Sequence, residues 1–322
     1  MTAFIDLCVF YDYPVCQQSI FGPGVSVGIN VEVALTAANI VGESAVWDDH
    51  RQRLLWVDIV GRAIHALTPA TGEYQSWPTP DMPTSIGLRQ DGGAIVGLAT
   101  TIALWDYGDV FRTVATVEPG TTGNRLNEGV VGPDGAFWVG TMQNNIAADG
   151  TPLAMNGEKG RLYRYTPDGR VLPLTNDLFG ITNTLVWPGD GTVLTADTLQ
   201  NTIYSYEIAG SMLRNRVPVF AGFERGLPDG SCLDDEGFIW NCRVARGGCI
   251  VRLDPKGRVD RVVDLPVSQP TSCTFGGHDL STLFVTSARF SMTDEEVRGN
   301  PLEGALLAIN MGKRGRRANR FG

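Results

Sequence analysis

The chain has 322 residues, 43% hydrophobic and 19% charged, with a formal net charge of -9. That balance suits a folded core and excludes a disordered chain, while the acidic surplus speaks against nucleic acid as a partner, which needs a concentrated basic face. No apolar run of about 20 residues is present to span a membrane and no basic-then-apolar leader opens the sequence, so a cytoplasmic protein is expected.

Residues 1–30 match no recurring pattern and are read as an N-terminal extension. From Val31 to residue 312 one unit recurs six times, each marked by a tight turn followed by two short β-rich runs. The first has His50-Arg51, then Leu54 to Val57 and Ala63 to Leu67; the second has Asp91-Gly92, then Ala94 to Gly97 and Ile102 to Trp105. The third turns at Asp134-Gly135, with Phe137 to Gly140 and Arg161 to Tyr165 separated by the long aperiodic stretch Met142 to Gly160. The fourth and fifth turn at Asp190-Gly191 and Glu236-Gly237, followed by Val193 to Ala196 and Thr202 to Tyr206, then Phe238 to Cys242 and Cys249 to Leu253. The sixth turns at Asp279-Leu280, continues through Leu283 to Thr286 and Ala305 to Ile309, and holds one short helical segment near Thr293 to Val297. Residues 313–322 form a basic tail of the kind that is usually solvated.

Acidic-Gly dipeptides favour tight hairpins because glycine accepts positive φ without steric cost, and alternation in the second runs fits half-buried antiparallel strands. Turns about 40 to 56 residues apart match the length of a four-stranded propeller blade. The expected fold is therefore all-β: a six-bladed β-propeller with four-stranded antiparallel blades. Six cysteines include no Cys-x-x-Cys pair, and Cys232, Cys242 and Cys273 fall in apolar runs as core thiols. His50, His65 and His278 carry no assigned role, and without a Gly-x-Ser-x-Gly elbow Ser44 is not read as a nucleophile.

Seven positions before each turn stands a polar residue: Glu43, Thr84, Asn127, Asn183, Asp229 and Ser272. Equivalent positions of successive blades recur around one axis, so these side chains should form a ring at one end of the central channel. Thr84 and Ser272 are expected to satisfy local backbone. Glu43 and Asp229 are different, because two carboxylates brought together in an interior repel unless a proton or cation intervenes. With Asn183 they make an oxygen site suited to one divalent cation, calcium in the first place, with zinc, magnesium, manganese or iron as alternatives.

At these residues the sequence resembles the SMP-30/gluconolactonase/LRE family of sugar lactonases related to regucalcin. The motifs are Gly42-Glu43-Ser44-Ala45-Val46-Trp47, Asn124-Arg125-Leu126-Asn127-Glu128-Gly129 with Gly140-Thr141-Met142, Pro228-Asp229-Gly230-Ser231-Cys232-Leu233-Asp234, and Val285-Thr286-Ser287-Ala288-Arg289. The resemblance implies a metal on Glu43, Asn183 and Asp229, substrate contacts from Arg125 and Asn127, and Glu128 where the family often has Asp. Members commonly have Asn-Gly where this chain has Asn183-Thr184.

The implied reaction is metal-dependent opening of a sugar lactone such as a glucono-, galactono-, xylono- or arabinonolactone. Asp229 is the candidate base, and a water activated by the metal is the alternative, since a cation depresses the basicity of its own ligand. A calcium-dependent propeller phosphotriesterase and a non-catalytic calcium-binding module are the competing readings. The expected partner is a small-molecule lactone, with the chain a monomer or small homo-oligomer.

Overall fold

The computed structural model describes residues 30–322, so all but the last residue of the expected N-terminal extension lies outside the described residues. The first strand, β1 (Val31–Leu35), belongs to the last blade. Blade 1 consists of β2 (Gly42–Asp48), β3 (Arg53–Asp58), β4 (Ala63–Thr68) and β5 (Glu73–Pro78). Blade 2 has β6 (Ser85–Arg89), β7 (Ala94–Gly97), β8 (Thr101–Trp105) and β9 (Phe111–Thr116). Blade 3 has β10 (Asn124–Val131), β11 (Phe137–Gln143), β12 (Leu162–Tyr165) and β13 (Val171–Pro173).

Blade 4 runs β14 (Thr182–Val186), β15 (Thr192–Asp197), β16 (Thr202–Ala209) and β17 (Met212–Ala221). Blade 5 runs β18 (Leu227–Leu233), β19 (Ile239–Val244), β20 (Cys249–Leu253) and β21 (Val259–Asp264). Blade 6 contributes β22 (Pro270–Gly276), β23 (Thr282–Ser287) and, after the short helix α1 (Asp294–Gly299), β24 (Leu306–Asn310). Its fourth strand is β1, which pairs antiparallel with β24 from Val31↔Ile309 onward and closes the ring. The helix starts on a Thr293 and Glu296 capping box, which fits its expected position. No helix among the described residues is long and apolar enough to cross a membrane.

The apolar core lies in the seams between neighbouring blades. Leu55, Val57 and Ile64 of blade 1 meet Ile86, Leu88, Val96 and Trp105 of blade 2, and Trp47 and Trp56 of blade 1 meet Phe284 and Leu306 of blade 6. A middle strand is therefore covered on both faces. This corrects the expected half-burial: β20 is buried at every position and β4 at all but its two ends. The outermost strands, such as β5 and β21, carry the exposed residues instead.

The basic tail also departs from expectation, because it packs across the turn face of the ring. Gly315 N–H donates to Leu280 O at 2.9 Å and Asp235 N–H to Arg314 O at 2.8 Å. Arg317 reaches Asp49 at 3.1 Å, and Arg320 pairs with Asp49 at 2.7 Å and Asp48 at 3.0 Å. A further strand, β25 (Arg320–Phe321), adds in parallel to the inner edge of β6. Phe321 is 9% exposed and stacks on Tyr165 at 5.6 Å. Acidic turns attract the tail, and burial of one aromatic ring fixes it.

Truncating that anchor should cost about 3 kcal/mol, as for other buried Phe→Ala changes. Urea unfolding of the Phe321→Ala protein should show this loss, whereas a solvated tail would leave the midpoint unchanged.

Candidate active site

The inner strands β2, β6, β10, β14, β18 and β22 each touch the next around the axis. On five of them the pairing with the second strand slips by one residue where the ring positions lie. The slips fall between Glu43 and Val46, Leu126 and Gly129, Asn183 and Leu185, Pro228 and Ser231, and Pro270 and Cys273. A bulge of this kind bends the strand and re-aims the side chain that it carries. Blade 2 is regular, with Thr84 just before β6.

Thr84 donates to Gly97 O at 3.3 Å, and Ser272 Oγ accepts from Ala45 N–H at 3.2 Å, so both satisfy backbone as expected. At the other positions the side chains interact with one another. Burial first, then the charge of Glu128, pushes the Glu43 carboxyl up to about 8. Burial, then Glu43 and Glu128, hold Asp229 well above the usual carboxylate range. Burial lifts Glu128 to about 7. Among the described residues no three acidic, histidine or cysteine side chains form an ion cage by themselves.

Asn183 Nδ2 donates to Thr198 Oγ1 at 2.8 Å, and Thr198 Oγ1 donates to Pro228 O at 2.8 Å. This chain fixes the amide so that Asn183 Oδ1 faces Asn127 Nδ2 across 3.4 Å, a contact too long to use that oxygen fully. An available amide oxygen beside two carboxyl groups whose charges oppose each other suits a hard divalent cation. Glu43, Asn183 and Asp229 fit that role by donor chemistry.

Arg125 is 6% exposed and sits between the acids and the long loop. Its Nη1 donates to Asn127 Oδ1 at 2.7 Å and to Leu126 O at 2.8 Å, and its Nη2 donates to Asn145 Oδ1 at 3.0 Å. Its Nε is buried without a hydrogen-bond partner. Burial lowers the guanidinium to about 10, against the opposing pull of Glu43 and Asp229. The loop containing Asn145 is anchored by buried Ile146 and Met155, and Gln143 Oε1 accepts from Asn156 N–H at 2.9 Å.

Sequence reasoning missed the layer beneath. Thr184 has φ 53, the left-handed region that glycine favours, which accounts for Asn-Gly in similar sequences. Its hydroxyl donates to Asp229 O at 2.6 Å and lies 2.9 Å from Ser231 Oγ, contacts that glycine could not make. Asn241 donates to the same Asp229 carbonyl at 3.1 Å. Arg243, fully buried, donates to Asn241 Oδ1 at 3.2 Å and Gly226 O at 2.7 Å. The unexpected Thr after Asn183 was the one available signal.

A sequence profile described as the SMP-30/Gluconolactonase/LRE-like region matches residues 41–289. Regucalcin of Gallus gallus is 34% identical over 275 residues, covering 84% of this chain and 90% of that protein. The 6-deoxy-6-sulfogluconolactonase of Pseudomonas putida is 33% identical over 278 residues, covering 85% and 92%. The crystal structure of an Agrobacterium tumefaciens regucalcin, described as a calcium-binding protein, aligns with TM-score 0.83 at 26% identity, covering 91% of this chain and 98% of that one.

The raised carboxyls have a signed consequence. A Glu43 carboxyl at about 8, against an ordinary 4.5, makes the folded state bind more protons than the unfolded state between those values. Its contribution to stability is full below the lower value and is lost as pH rises through the upper one. In metal-free protein, Glu43→Gln should therefore gain in melting temperature over wild type as pH rises from about 5 to 8. A difference independent of pH would refute the assigned electrostatics.

Proposed function

The chain belongs to the SMP-30/gluconolactonase/LRE-like family, and from that premise we propose that it hydrolyses a sugar lactone at the ring mouth, using one divalent cation. The observation that supports this reading is the pairing of two carboxyls, Glu43 and Asp229, both raised by burial and the second also by the charge of the first, beside a buried Arg125 whose Nε lacks a partner and whose neighbour Asn127 reaches Asn183. An unsatisfied buried donor in a polar pocket calls for an acceptor from outside the chain. The hydroxyl or carboxyl oxygens of an aldonolactone and its product supply acceptors of that kind.

In this reading Glu43, Asn183 and Asp229 hold the cation. Calcium is the first candidate, because an Agrobacterium relative is described as a calcium-binding protein, and zinc, magnesium, manganese and iron are admitted by the same oxygens. When bound, the cation supplies Lewis-acid polarisation of the lactone carbonyl and counters charge on its oxygen. Arg125 and Asn127 orient the sugar through directed N–H donors, and Glu128 accepts from its hydroxyls.

Asp229 takes a proton from the attacking water as the new C–O bond forms, then returns it to the ring oxygen as the ester bond breaks. The product is the open-chain hydroxy acid. Its new carboxylate lies against Glu43, Glu128 and Asp229, and repulsion between like charges favours release.

Metal removal by chelation, Asp229→Ala and Asn183→Ala should each lower lactone turnover by about 100-fold or more. Arg125→Ala should act chiefly on KM, raising it roughly 10- to 100-fold, as for loss of a charge-assisted hydrogen bond. The assay is a panel of glucono-, galactono-, xylono- and arabinonolactones, with stripped protein reloaded one metal at a time. Metal binding without turnover of any lactone would leave the calcium-binding reading in its place.

A further inference from the structure

Three thiols meet in the seam between blades 5 and 6: Cys232 on β18, Cys242 on β19 and Cys273 on β22. Cys232 Sγ lies 3.5 Å from Cys273 Sγ, and Cys273 donates to Trp240 O at 3.5 Å. Cys242 is the second thiol that faces Cys273. Trp240, Ile250, Phe275 and Val285 surround the group. Cys242 and Cys273 are buried, whereas Cys232 is partly exposed.

The proposed lactone chemistry uses none of these groups, and plain core packing does not require two sulfur atoms on different blades to face each other. We propose that Cys232 and Cys273 form a reversible disulfide when the protein meets a peroxide. The sulfur atoms must close from 3.5 Å to about 2.05 Å. The thiols facing Cys273 hold it below an isolated buried thiol, which favours its thiolate in the exchange.

The chemistry balances with peroxide as the named oxidant. Cys273, as thiolate, attacks one peroxide oxygen; the O–O bond breaks, a sulfenic acid forms, and the departing hydroxide leaves as water after taking up a proton. Cys232 then attacks the sulfenic sulfur, forming the S–S bond, and its proton leaves with the sulfenic oxygen as the second water. Two thiols are oxidised and one peroxide is reduced to water. A dithiol reductant reverses the step by exchange.

The link would join inner strands of adjacent blades beside two ring positions, since Cys232 follows Asp229 in β18 and Cys273 follows Ser272 in β22. The inference is independent of the lactone reading, because its readout is covalent.

The test oxidises full-length protein with hydrogen peroxide, blocks remaining thiols by alkylation, and maps tryptic peptides without reduction. The expected product joins peptide 226–243, which carries Cys232 and Cys242, to peptide 262–289, which carries Cys273. Apart from one alkyl group on Cys242, it should be lighter than the two free peptides together by two hydrogen atoms, with fragment ions placing the link on Cys232. It should disappear in Cys232→Ser, persist in Cys242→Ser, and revert with dithiothreitol. Alkylation of both Cys232 and Cys273 after oxidation, a link through Cys242, or cross-links confined to other cysteines would each overturn the proposal. The wild-type map decides on its own if either variant fails to fold.

Discussion

The chemistry at the axis depends on a one-residue mismatch. In five blades the inner strand is one residue longer than its partner at the level of the ring, and the slip falls at Glu43, Asn127, Asn183, Asp229 or Ser272. Strand side chains alternate between faces, so an uninterrupted ladder would reverse every residue beyond this point. With the bulge, a strand supplies apolar side chains to its seam and still directs a polar one elsewhere. The cost is visible in Ser44 and Thr184, both non-glycine residues in the left-handed region. At Thr184 the hydrogen bond to Asp229 O offsets part of that strain and ties blade 4 to blade 5.

Like charges are the second consequence of convergence. Glu43, Glu128 and Asp229 raise one another's proton affinity or are raised by burial, and the charge of Arg125 opposes this at Glu43. Arg243 works from below, where backbone carbonyls and Asn241 receive its donors and its charge lowers Asp229 slightly against the larger effects. A site built this way holds more negative potential than it can satisfy internally. Gly230 shows how tightly it is drawn, since a Cβ there would come 2.9 Å from the Ser272 backbone.

The repeat made the blades legible. Tight turns, four of them acidic-Gly, and the runs after them mark β3, β7, β11, β15, β19 and β23, and counting back from each turn finds the ring. The bulges stayed hidden because the spacing from ring position to turn is the same seven residues in the five bulged blades and in regular blade 2. Burial on both faces was misread because a half-covered sheet is the ordinary antiparallel case, whereas stacked blades cover their neighbours. The tail was misread for a different reason. Lys313, Arg317 and Arg320 look solvated until Glu236, Asp48 and Asp49 are known to share one face. Thr198, Asn241 and Arg243 carry no repeat signature, so only their contacts reveal their part.

The strand that completes blade 6 leaves the ribosome before any of its partners. β1 must wait unpaired until β24 has been synthesised, and the turn face is not covered until residues near Phe321 arrive. Until then the growing chain is an open arc with two uncovered apolar blade faces, the kind of surface through which chains associate. The nascent protein therefore faces its greatest risk of aggregation late in translation, when most blades exist and none can close. A slow stretch of synthesis before blade 6 would prolong that exposure, and pairing of β1 with β24 would end it in a single step.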